Sequence, residues 1–317
     1  MPDIAMWGAP ASGKTTFLAA LDTALKRGRY GYAMIPDDDA SEMMMINATA
    51  ALDDKHEFPD ATEAIDILQW TLHGRRQQTT STGRDLHLVS TPHKITLKLT
   101  DPSGELTLPG KQADPNRRKL VSALADARGI IFMFDPIREA EKGDGFQTTN
   151  GLLVQLARQA ASSDPDFDGT LPHHVAICVT KFDEPRVFDT AERLKLLRYD
   201  RNDPFQFPRV ENGDARLLFT SLCSSASETG NGDLMLNALE QYFREDRIKF
   251  FVTSAVGFYV NPHTGRFDRD NPQNVVKNKS GLAVAGQSRI RGALHPINIV
   301  EPVLWLDEQM STVAAHQ

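Results

Sequence analysis

One run of residues near the N-terminus limits what this chain can fold into more than any other feature. The run Gly8-Ala9-Pro10-Ala11-Ser12-Gly13-Lys14-Thr15 matches the pattern G-x-x-x-x-G-K-[ST] at every position. The apolar residues Ile4 to Trp7 before it indicate a buried strand, and the spacing of apolar residues behind it predicts a helix over Lys14 to Lys26. A strand, a loop of small residues and a helix in this order are what a phosphate-binding loop requires.

Each residue type in this run has a physical reason. Glycine lets the backbone curl around phosphate oxygens, and the amide groups at the start of a helix point toward an anion. Lys14, as a solvated side chain, is expected to reach the β- and γ-phosphates, and the Thr15 hydroxyl to ligate Mg²⁺. With Thr16 in the first helical turn, Gly8 to Thr16 form the predicted phosphate site.

Apolar runs that alternate with helical segments predict the rest of the fold. Strands are expected at Ile95 to Leu99, Gly129 to Phe134, Val175 to Thr180 and Lys249 to Thr253; helices are expected at Ala40 to Leu52, Leu120 to Ala127, Leu152 to Ala161, Leu234 to Phe243 and Ile299 to about Met310. This alternation indicates an α/β fold with a mostly parallel central sheet and helices on both faces.

Three segments have no clear hydrophobic pattern. Ile65 to Leu72 fits either a strand or a helix. The polar stretch Gly74 to Pro92 is expected to loop out, with a short strand at Asp85 to Val89. Asn261 to Ser280 is rich in Asn, Pro, Gly and charge, which favours a long surface excursion.

Three further motifs each follow a predicted strand. In Asp101-Pro102-Ser103-Gly104, the acid can hold Mg²⁺ through water and the Gly104 amide can meet a γ-phosphate. In Thr180-Lys181-Phe182-Asp183, the Asp183 carboxylate could accept the ring N–H and the exocyclic amine of guanine, a donor pair that adenine lacks. Lys181 could lay its apolar stem along the base. A backbone amide at Ser254-Ala255 could contact the guanine carbonyl oxygen. Taken singly, each motif also fits an ordinary turn.

The order of the four motifs carries a resemblance. G-x-x-x-x-G-K-T, D-x-x-G, T-K-x-D and S-A, each at a strand end, resemble the TRAFAC-class P-loop GTPases from Asp3 to about Gly257, with large insertions. The D-P-x-G-E form and the run Pro296 to Pro302 are closest in character to bacterial GTPases of conserved multi-gene systems. The resemblance implies a P-loop NTPase G domain with GTP or GDP as ligand, Mg²⁺ as cofactor and a protein effector or activating partner. It also implies a single domain over residues 1–317, with insertions near 28–62, 74–92 and 258–295.

The resemblance also implies roles for residues outside the phosphate loop. Thr62 is the expected switch residue, closing over Mg²⁺ and the γ-phosphate; Thr79, Thr80 and Thr82 are the alternatives if the paired strand is Asp85 to Val89. The expected metal ligands are Thr15, Thr62 and Asp101, and the expected catalytic residues are Lys14, Thr62 and Glu105.

The motifs depart from the family pattern at two positions. Thr180 stands where asparagine is commoner, and Glu105 stands where Ras-like enzymes place a glutamine that orients water. A carboxylate at Glu105 could orient water or could be a switch residue without a catalytic duty. An ATP-hydrolysing P-loop NTPase and a GTP-binding scaffold with negligible hydrolysis therefore remain alternative functions.

Composition excludes several other classes of function. The formal net charge of −7 argues against a nucleic-acid partner or a polybasic membrane anchor. The apolar run Phe250 to Val260 is too short for a membrane span, and no signal peptide is evident at the start, so a cytoplasmic location is expected. Cys178 and Cys223 are too few for a disulfide framework, and Cys178 is expected to be a small buried hydrophobe.

Overall fold

The computed structural model describes residues 3–27, 30–59, 67–82, 85–100, 115–226, 233–277 and 288–314. Its strands are β1 (Asp3–Gly8), β2 (Tyr32–Pro36), β3 (Ile67–Thr82), β4 (Asp85–Thr100), β5 (Gly129–Phe134), β6 (His174–Val179), β7 (Leu197–Tyr199), β8 (Pro208–Val210), β9 (Ile248–Val252), β10 (Val260–Asn261), β11 (Arg266–Phe267), β12 (Val275–Lys277) and β13 (Ser288–Ile290). Its helices are α1 (Lys14–Lys26), α2 (Asp39–Thr49), α3 (Pro115–Asp126), α4 (Pro136–Lys142), α5 (Gly145–Ser163), α6 (Pro185–Arg193), α7 (Asn212–Ala226), α8 (Leu234–Tyr242) and α9 (Glu301–Ala314).

Seven strands form the central sheet, in the order β2-β3-β4-β1-β5-β6-β9. β3 runs antiparallel to both of its neighbours, and the other pairs are parallel. The fold is therefore α/β with a mostly parallel sheet, as the alternation of strands and helices predicts. β5 and β6 are buried along their whole length, because helices cover both of their faces.

Alternate residues of the central strands supply two cores. Ile4 and Met6 of β1 pack in one core with apolar residues of α1 and α9. Ala5 and Trp7 pack in the other with apolar residues of α3, α5, α7 and α8. This division follows from the two-residue period of a strand, and it places α1 on one face of the sheet.

The boundaries of several elements agree with the sequence. The helix Lys14–Lys26 and the strand Gly129–Phe134 are confirmed residue for residue. The helix predicted at Ala40 to Leu52 is α2, which continues into a π-helical turn at Ala50–Asp54. Burial explains this agreement, since apolar periodicity reports the face that a regular element packs against the core.

The expectation of a loop at Gly74 to Pro92 was wrong. β3 and β4 are 16 residues each and pair antiparallel from Ile67↔Thr100 to Thr82↔Asp85, so the stretch is a long two-stranded ribbon. Backbone hydrogen bonds hold such a ribbon together whatever the side chains, and a polar strand carries no apolar alternation to reveal it. Thr79, Thr80 and Thr82 lie within this ladder, which removes the loop that they needed as alternative switch residues.

Other segments were only partly anticipated. The described part of Asn261 to Ser280 contains β10, β11 and β12, each two or three residues long. α4, α6 and α7 were not predicted.

Cys178 and Cys223 are buried free thiols, and burial raises the pKa of both. Within the described ranges, no helix is both long and apolar enough to cross a membrane.

Candidate functional site

The predicted phosphate and base residues meet at one edge of the sheet. β1, β5, β6 and β9 are neighbours and run in the same direction, so their carboxyl ends lie side by side. Gly8 ends β1, Thr180 follows β6, and Ser254 lies two residues after β9. Ligands of open α/β sheets bind outside the carboxyl ends of the strands, so this edge is the candidate site.

The phosphate loop is shaped by backbone conformation. Ala11 and Gly13 both have positive φ angles, 58° and 93°, and the Ser12 amide donates to the Ala9 carbonyl at 3.1 Å. Gly13 is the N-cap of α1 and has no side chain with which to cap the helix. An anion is therefore the natural partner for the amides of the first helical turn.

The two glycines of the loop are required for different reasons. Gly13 needs its left-handed conformation, and a Cβ there would meet nothing within 4 Å. Gly8 instead allows a close approach of β5, because a Cβ at this position would lie 2.7 Å from the Met133 carbonyl oxygen and 2.7 Å from Ser12 Oγ. The first glycine of the motif is thus required by packing beneath the loop, and the second by the curl of the backbone.

Lys14 is buried rather than solvated, which corrects the sequence expectation. Its side chain is 6% exposed, and Nζ donates to the carbonyl oxygens of Gly8 and Ala9, each at 3.2 Å. The ammonium group therefore lies inside the curve of the loop, where it braces the backbone. Thr15 follows in the first turn of α1 and is half-buried.

Asp183, the residue predicted to contact the nucleotide base, is buried. It is 4% exposed, and its Oδ1 accepts a hydrogen bond of 2.5 Å from Ser254 Oγ. Burial raises the pKa of the Asp183 carboxyl to about 6, while the Ser254 bond opposes that rise. A carboxyl group that is kept from water and has a raised pKa can, once ionised, accept strong hydrogen bonds from a ligand.

Ser254 connects this acid to the C-terminal part of the chain. Its hydroxyl accepts from the Gly257 amide at 2.8 Å, and its own amide donates to the Ile297 carbonyl at 3.1 Å. The Ser254 amide is therefore already bonded within the fold. Gly257 has a φ of 68°, and a Cβ there would lie 2.0 Å from the His295 carbonyl oxygen, so only glycine fits.

The structure adds a residue that the sequence reasoning missed. Asp135, directly after β5, caps α4 by accepting from the amides of Ile137 and Arg138, and its Oδ2 accepts from Lys181 Nζ at 2.6 Å. Lys181 has a φ of 59°, so its backbone turn and its charged tip are both fixed. The Asp-Pro pair after a buried apolar run was the sequence signal for this cap.

Thr180 has a structural contact that accounts for its side chain. Both its amide and its hydroxyl donate to the Phe134 carbonyl, each at 2.9 Å. The hydroxyl therefore ties the end of β6 to the end of β5. Phe182, which is fully buried, packs edge to face on Phe258 with ring centroids 5.1 Å apart. These two contacts fix the turn from which Asp183 projects.

Several predicted site residues lie outside the described part of the chain. They are Thr62, Asp101, Gly104 and Glu105.

Of the arginines in the ribbon, Arg75 donates to the hydroxyl and carbonyl of Ser90 at 3.0 and 2.7 Å, and Arg76 pairs with Asp307 of α9. Both therefore have contacts within the fold.

The solved structures that are similar to this chain include the following two. A Saccharomyces cerevisiae Ski7 GTPase-like domain bound to GTP aligns with 98% of this chain and 50% of its own, at 13% identity and a TM-score of 0.39. A sup35 structure complexed with GDP aligns with 83% of this chain and 40% of its own, at 12% identity and a TM-score of 0.33. The chain thus spans half or less of the length of these proteins. No family model and no curated protein matches it. Likeness at this level does not establish a shared function.

Proposed function

We propose that this chain binds guanine nucleotides with Mg²⁺ and hydrolyses GTP as a molecular switch. The observation that carries the proposal is the buried carboxylate of Asp183 at the same sheet edge as the phosphate loop. A P-loop alone fits any nucleoside triphosphate. A buried acid beside it, held by Ser254 at 2.5 Å, selects for a base that presents donors.

Guanine is the common purine whose edge fits this acid. Its ring N–H and exocyclic amine are adjacent donors, and a carboxylate accepts two such bonds side by side. Adenine would offer the buried carboxylate no donor beyond the Ser254 hydroxyl, and a site whose buried polar groups lack donors from the ligand rejects that ligand strongly. Lys181, fixed by its bond to Asp135, would lay its stem along the base, and the Ala255 amide would meet the carbonyl oxygen of guanine.

The phosphate side supplies charge stabilisation. Lys14 would exchange its contacts with the Gly8 and Ala9 carbonyls for phosphate oxygens, and the amides of the curled loop would donate to the same group. The Thr15 hydroxyl is a hard oxygen donor of the kind that Mg²⁺ prefers, so the described part of the site fits the ion. Thr62 and Asp101 are the other proposed ligands. When bound, the ion would neutralise charge on the β- and γ-phosphate oxygens.

In this proposal, the site switches the protein between a GTP-bound and a GDP-bound conformation. In the proposal, the Thr62 segment and the segment from Asp101 to Glu105 would be held by the γ-phosphate and Mg²⁺ and released after hydrolysis. A protein effector or activating partner would then read the difference between the two states.

Nucleotide competition tests the base preference. Purified protein with Mg²⁺ is titrated with a fluorescent GDP, which is then displaced by GTP, ITP, XTP or ATP. GTP should displace it best, and ITP, which lacks the exocyclic amine, should be weaker by roughly tenfold or more, the value of one charge-assisted bond. ATP and XTP should compete poorly. Equal competition by ATP and GTP would refute guanine recognition.

Phosphate release tests the enzymatic half of the proposal. Release over many turnovers should be seen with GTP and Mg²⁺, and it should stop when EDTA removes the ion. If GTP binds but no phosphate is released over many turnovers, the chain is a GTP-binding module and the hydrolase proposal fails.

A further inference from the structure

The chain between β9 and α9 contains a polar residue that is completely buried. Asn274, directly before β12, is 0% exposed. Its Nδ2 donates to the carbonyl oxygens of Val256 and Ala293, each at 3.1 Å, and its Oδ1 accepts from the Gly292 amide at 2.9 Å. Both amide hydrogens and the carbonyl oxygen of the side chain are used, so the side chain has one fixed orientation.

Asn274 connects the turn after β9 to the segment that leads into α9. The Val256 carbonyl of this turn also accepts from the His295 amide at 3.1 Å. Ser254 and Ile297 exchange two backbone hydrogen bonds, of 2.8 and 3.1 Å. The turn that contributes to the proposed base site is therefore held by residues outside the four nucleotide motifs.

Hydrogen bonds continue from Asn274 to Asp183. The Val256 carbonyl and the Gly257 amide belong to one planar peptide unit, so holding the carbonyl also sets the direction of the N–H group. That N–H donates to Ser254 Oγ at 2.8 Å, and the hydroxyl donates its single proton to Asp183 Oδ1 at 2.5 Å. Bonds in such a chain polarise and strengthen one another.

We infer that Asn274 is a positioning residue for base recognition, which aims the Ser254 hydroxyl at Asp183 through the Val256–Gly257 peptide unit. The inference rests on the proposed function for the identity of the ligand, whereas the chain of bonds is present in the nucleotide-free fold. Asn274 would not touch the nucleotide. It would act on the base through Ser254 and Asp183, from a part of the sequence that the nucleotide motifs do not include.

Two charged neighbours also act on the Asp183 carboxyl. Lys181 favours its ionised form, and Glu184 opposes ionisation. Neither belongs to the chain of bonds that begins at Asn274. A change at Asn274 should therefore reach Asp183 through the Ser254 hydroxyl and leave the effects of both charged neighbours in place.

A carbon NMR titration of the nucleotide-free full chain tests this chain of bonds. The Asp183 carboxyl signal is assigned by its absence in Asp183→Asn. The Ser254 bond lowers the pKa of Asp183, so Asn274→Ala should raise the titration midpoint by about half a pH unit. Asn271→Ala, which changes an exposed asparagine of the same segment, is the matched control and should leave the midpoint unchanged. An unmoved midpoint in folded Asn274→Ala overturns the inference.

Competition binding separates positioning from a general loss of stability. GTP should bind Asn274→Ala about fivefold more weakly than wild type, which is part of the value of one charge-assisted bond. Tripolyphosphate, which would contact only Gly8 to Thr16, should bind both proteins alike. Loss of both ligands, or of neither, contradicts a positioning role. If wild type does not prefer GTP over ATP, the proposed function fails, and the carboxyl titration still decides whether Asn274 acts on Asp183.

The fold of Asn274→Ala needs its own measurement, because the substitution removes three buried hydrogen bonds. Thermal unfolding should remain cooperative. If the variant does not fold, Asn274→Ser, which keeps a polar group but is too short to reach the Val256 carbonyl, replaces it. The same carboxyl titration and the same two ligands then support or overturn the inference.

Discussion

The two halves of the proposed nucleotide site are built in different ways. The phosphate half, Gly8 to Thr16, is a backbone structure in which two residues have positive φ and Lys14 contacts carbonyl oxygens. The base half, Thr180 to Asp183 with Ser254 and Ala255, is a network of buried side chains centred on the 2.5 Å bond from Ser254 to Asp183. The first half would recognise a group common to all nucleotides, and the second a particular base.

This difference separates two kinds of sensitivity. Changes in the phosphate half should affect all di- and triphosphates alike, whatever the base. The effect of a change in the base half should depend on which base the nucleotide carries and on the pH, because Asp183 must be ionised to accept two donors.

Lys14→Ala should cause the largest loss. The ammonium group would make charge-assisted bonds to two phosphates, so GTP, GDP and ATP should each lose about 100-fold or more in affinity. Lys26→Ala, at the exposed end of the same helix, is the control and should bind normally. A loss confined to GTP would show that the two halves are not separable in this way.

Because Lys14 is buried against the loop, the fold of the variant needs its own measurement. Circular dichroism and thermal unfolding of Lys14→Ala should remain cooperative, since the two carbonyl contacts lie within the loop and not in the core. If the variant does not fold, Lys14→Arg, which keeps the charge, is the comparison for nucleotide affinity.

Ser254→Ala should weaken GTP by about tenfold at neutral pH, the value of one bond to a charged group. The Ser254 hydroxyl stabilises the ionised form of Asp183, so its loss should raise the pKa of that carboxyl. Affinity should therefore recover in part as the pH is raised above 7. Ser224→Ala, exposed on α7, should change nothing. A pH-independent loss would mean that Ser254 acts only through packing.

The wild-type protein should lose GDP affinity in mild acid. The pKa of Asp183 is raised to about 6 in the nucleotide-free fold, so binding to the carboxylate must release a proton below that pH. Affinity should fall by about tenfold per pH unit as the pH drops below 6. A flat profile between pH 7 and 5 would remove Asp183 from the contact with the base.

The stability of the nucleotide-free protein should change in the opposite direction. A folded pKa near 6 against an ordinary value near 3.8 means that the native state holds the proton more tightly. The free energy of unfolding should therefore fall by about 2 kcal/mol as the pH rises from 4 to 6. Urea unfolding of wild type and Asp183→Asn at both pH values isolates this contribution, which should vanish in the variant.

Ala11→Gly should have the smallest effect. Ala11 has a φ of 58°, a conformation that costs about 1 kcal/mol for a residue with a Cβ. Glycine removes that strain but adds freedom to the unfolded chain, so stability should change by less than about 1 kcal/mol. Nucleotide affinity should stay within about fivefold of wild type by the same energy scale. A large loss would show that the methyl group itself contacts the ligand.

The same contrast explains what the sequence could predict. Gly8 to Thr15 and the helix behind it are local, because one turn conformation and one apolar period fix them. The motif at Asp183 was also visible, but its burial and its bond to Ser254 join residues 71 positions apart. Such a contact depends on how β6 and β9 pair, which no local pattern encodes. The bond from Lys181 to Asp135 spans 46 residues and was missed for the same reason, although the Asp135 cap of α4 had a local signal.

The ribbon of β3 and β4 shows a different limit. Its residues from Gly74 to Pro92 are largely polar, so hydrophobic alternation could not distinguish a strand from a loop. The ladder is held by backbone bonds across 16 residue pairs, and the composition of the side chains does not report them. α7 was overlooked although Leu218, Phe219 and Leu222 are buried at helical spacing.

The most direct test of the account is the base preference of Asp183→Asn. Xanthine carries a carbonyl where guanine carries its amine, and an asparagine amide can donate to that carbonyl. Competition binding should therefore show wild type preferring GTP over XTP and the variant preferring XTP over GTP, with Asp189→Asn unchanged from wild type. If Asp183→Asn keeps the wild-type preference, or if wild type binds ATP as tightly as GTP, the buried acid does not read the base and the account is contradicted.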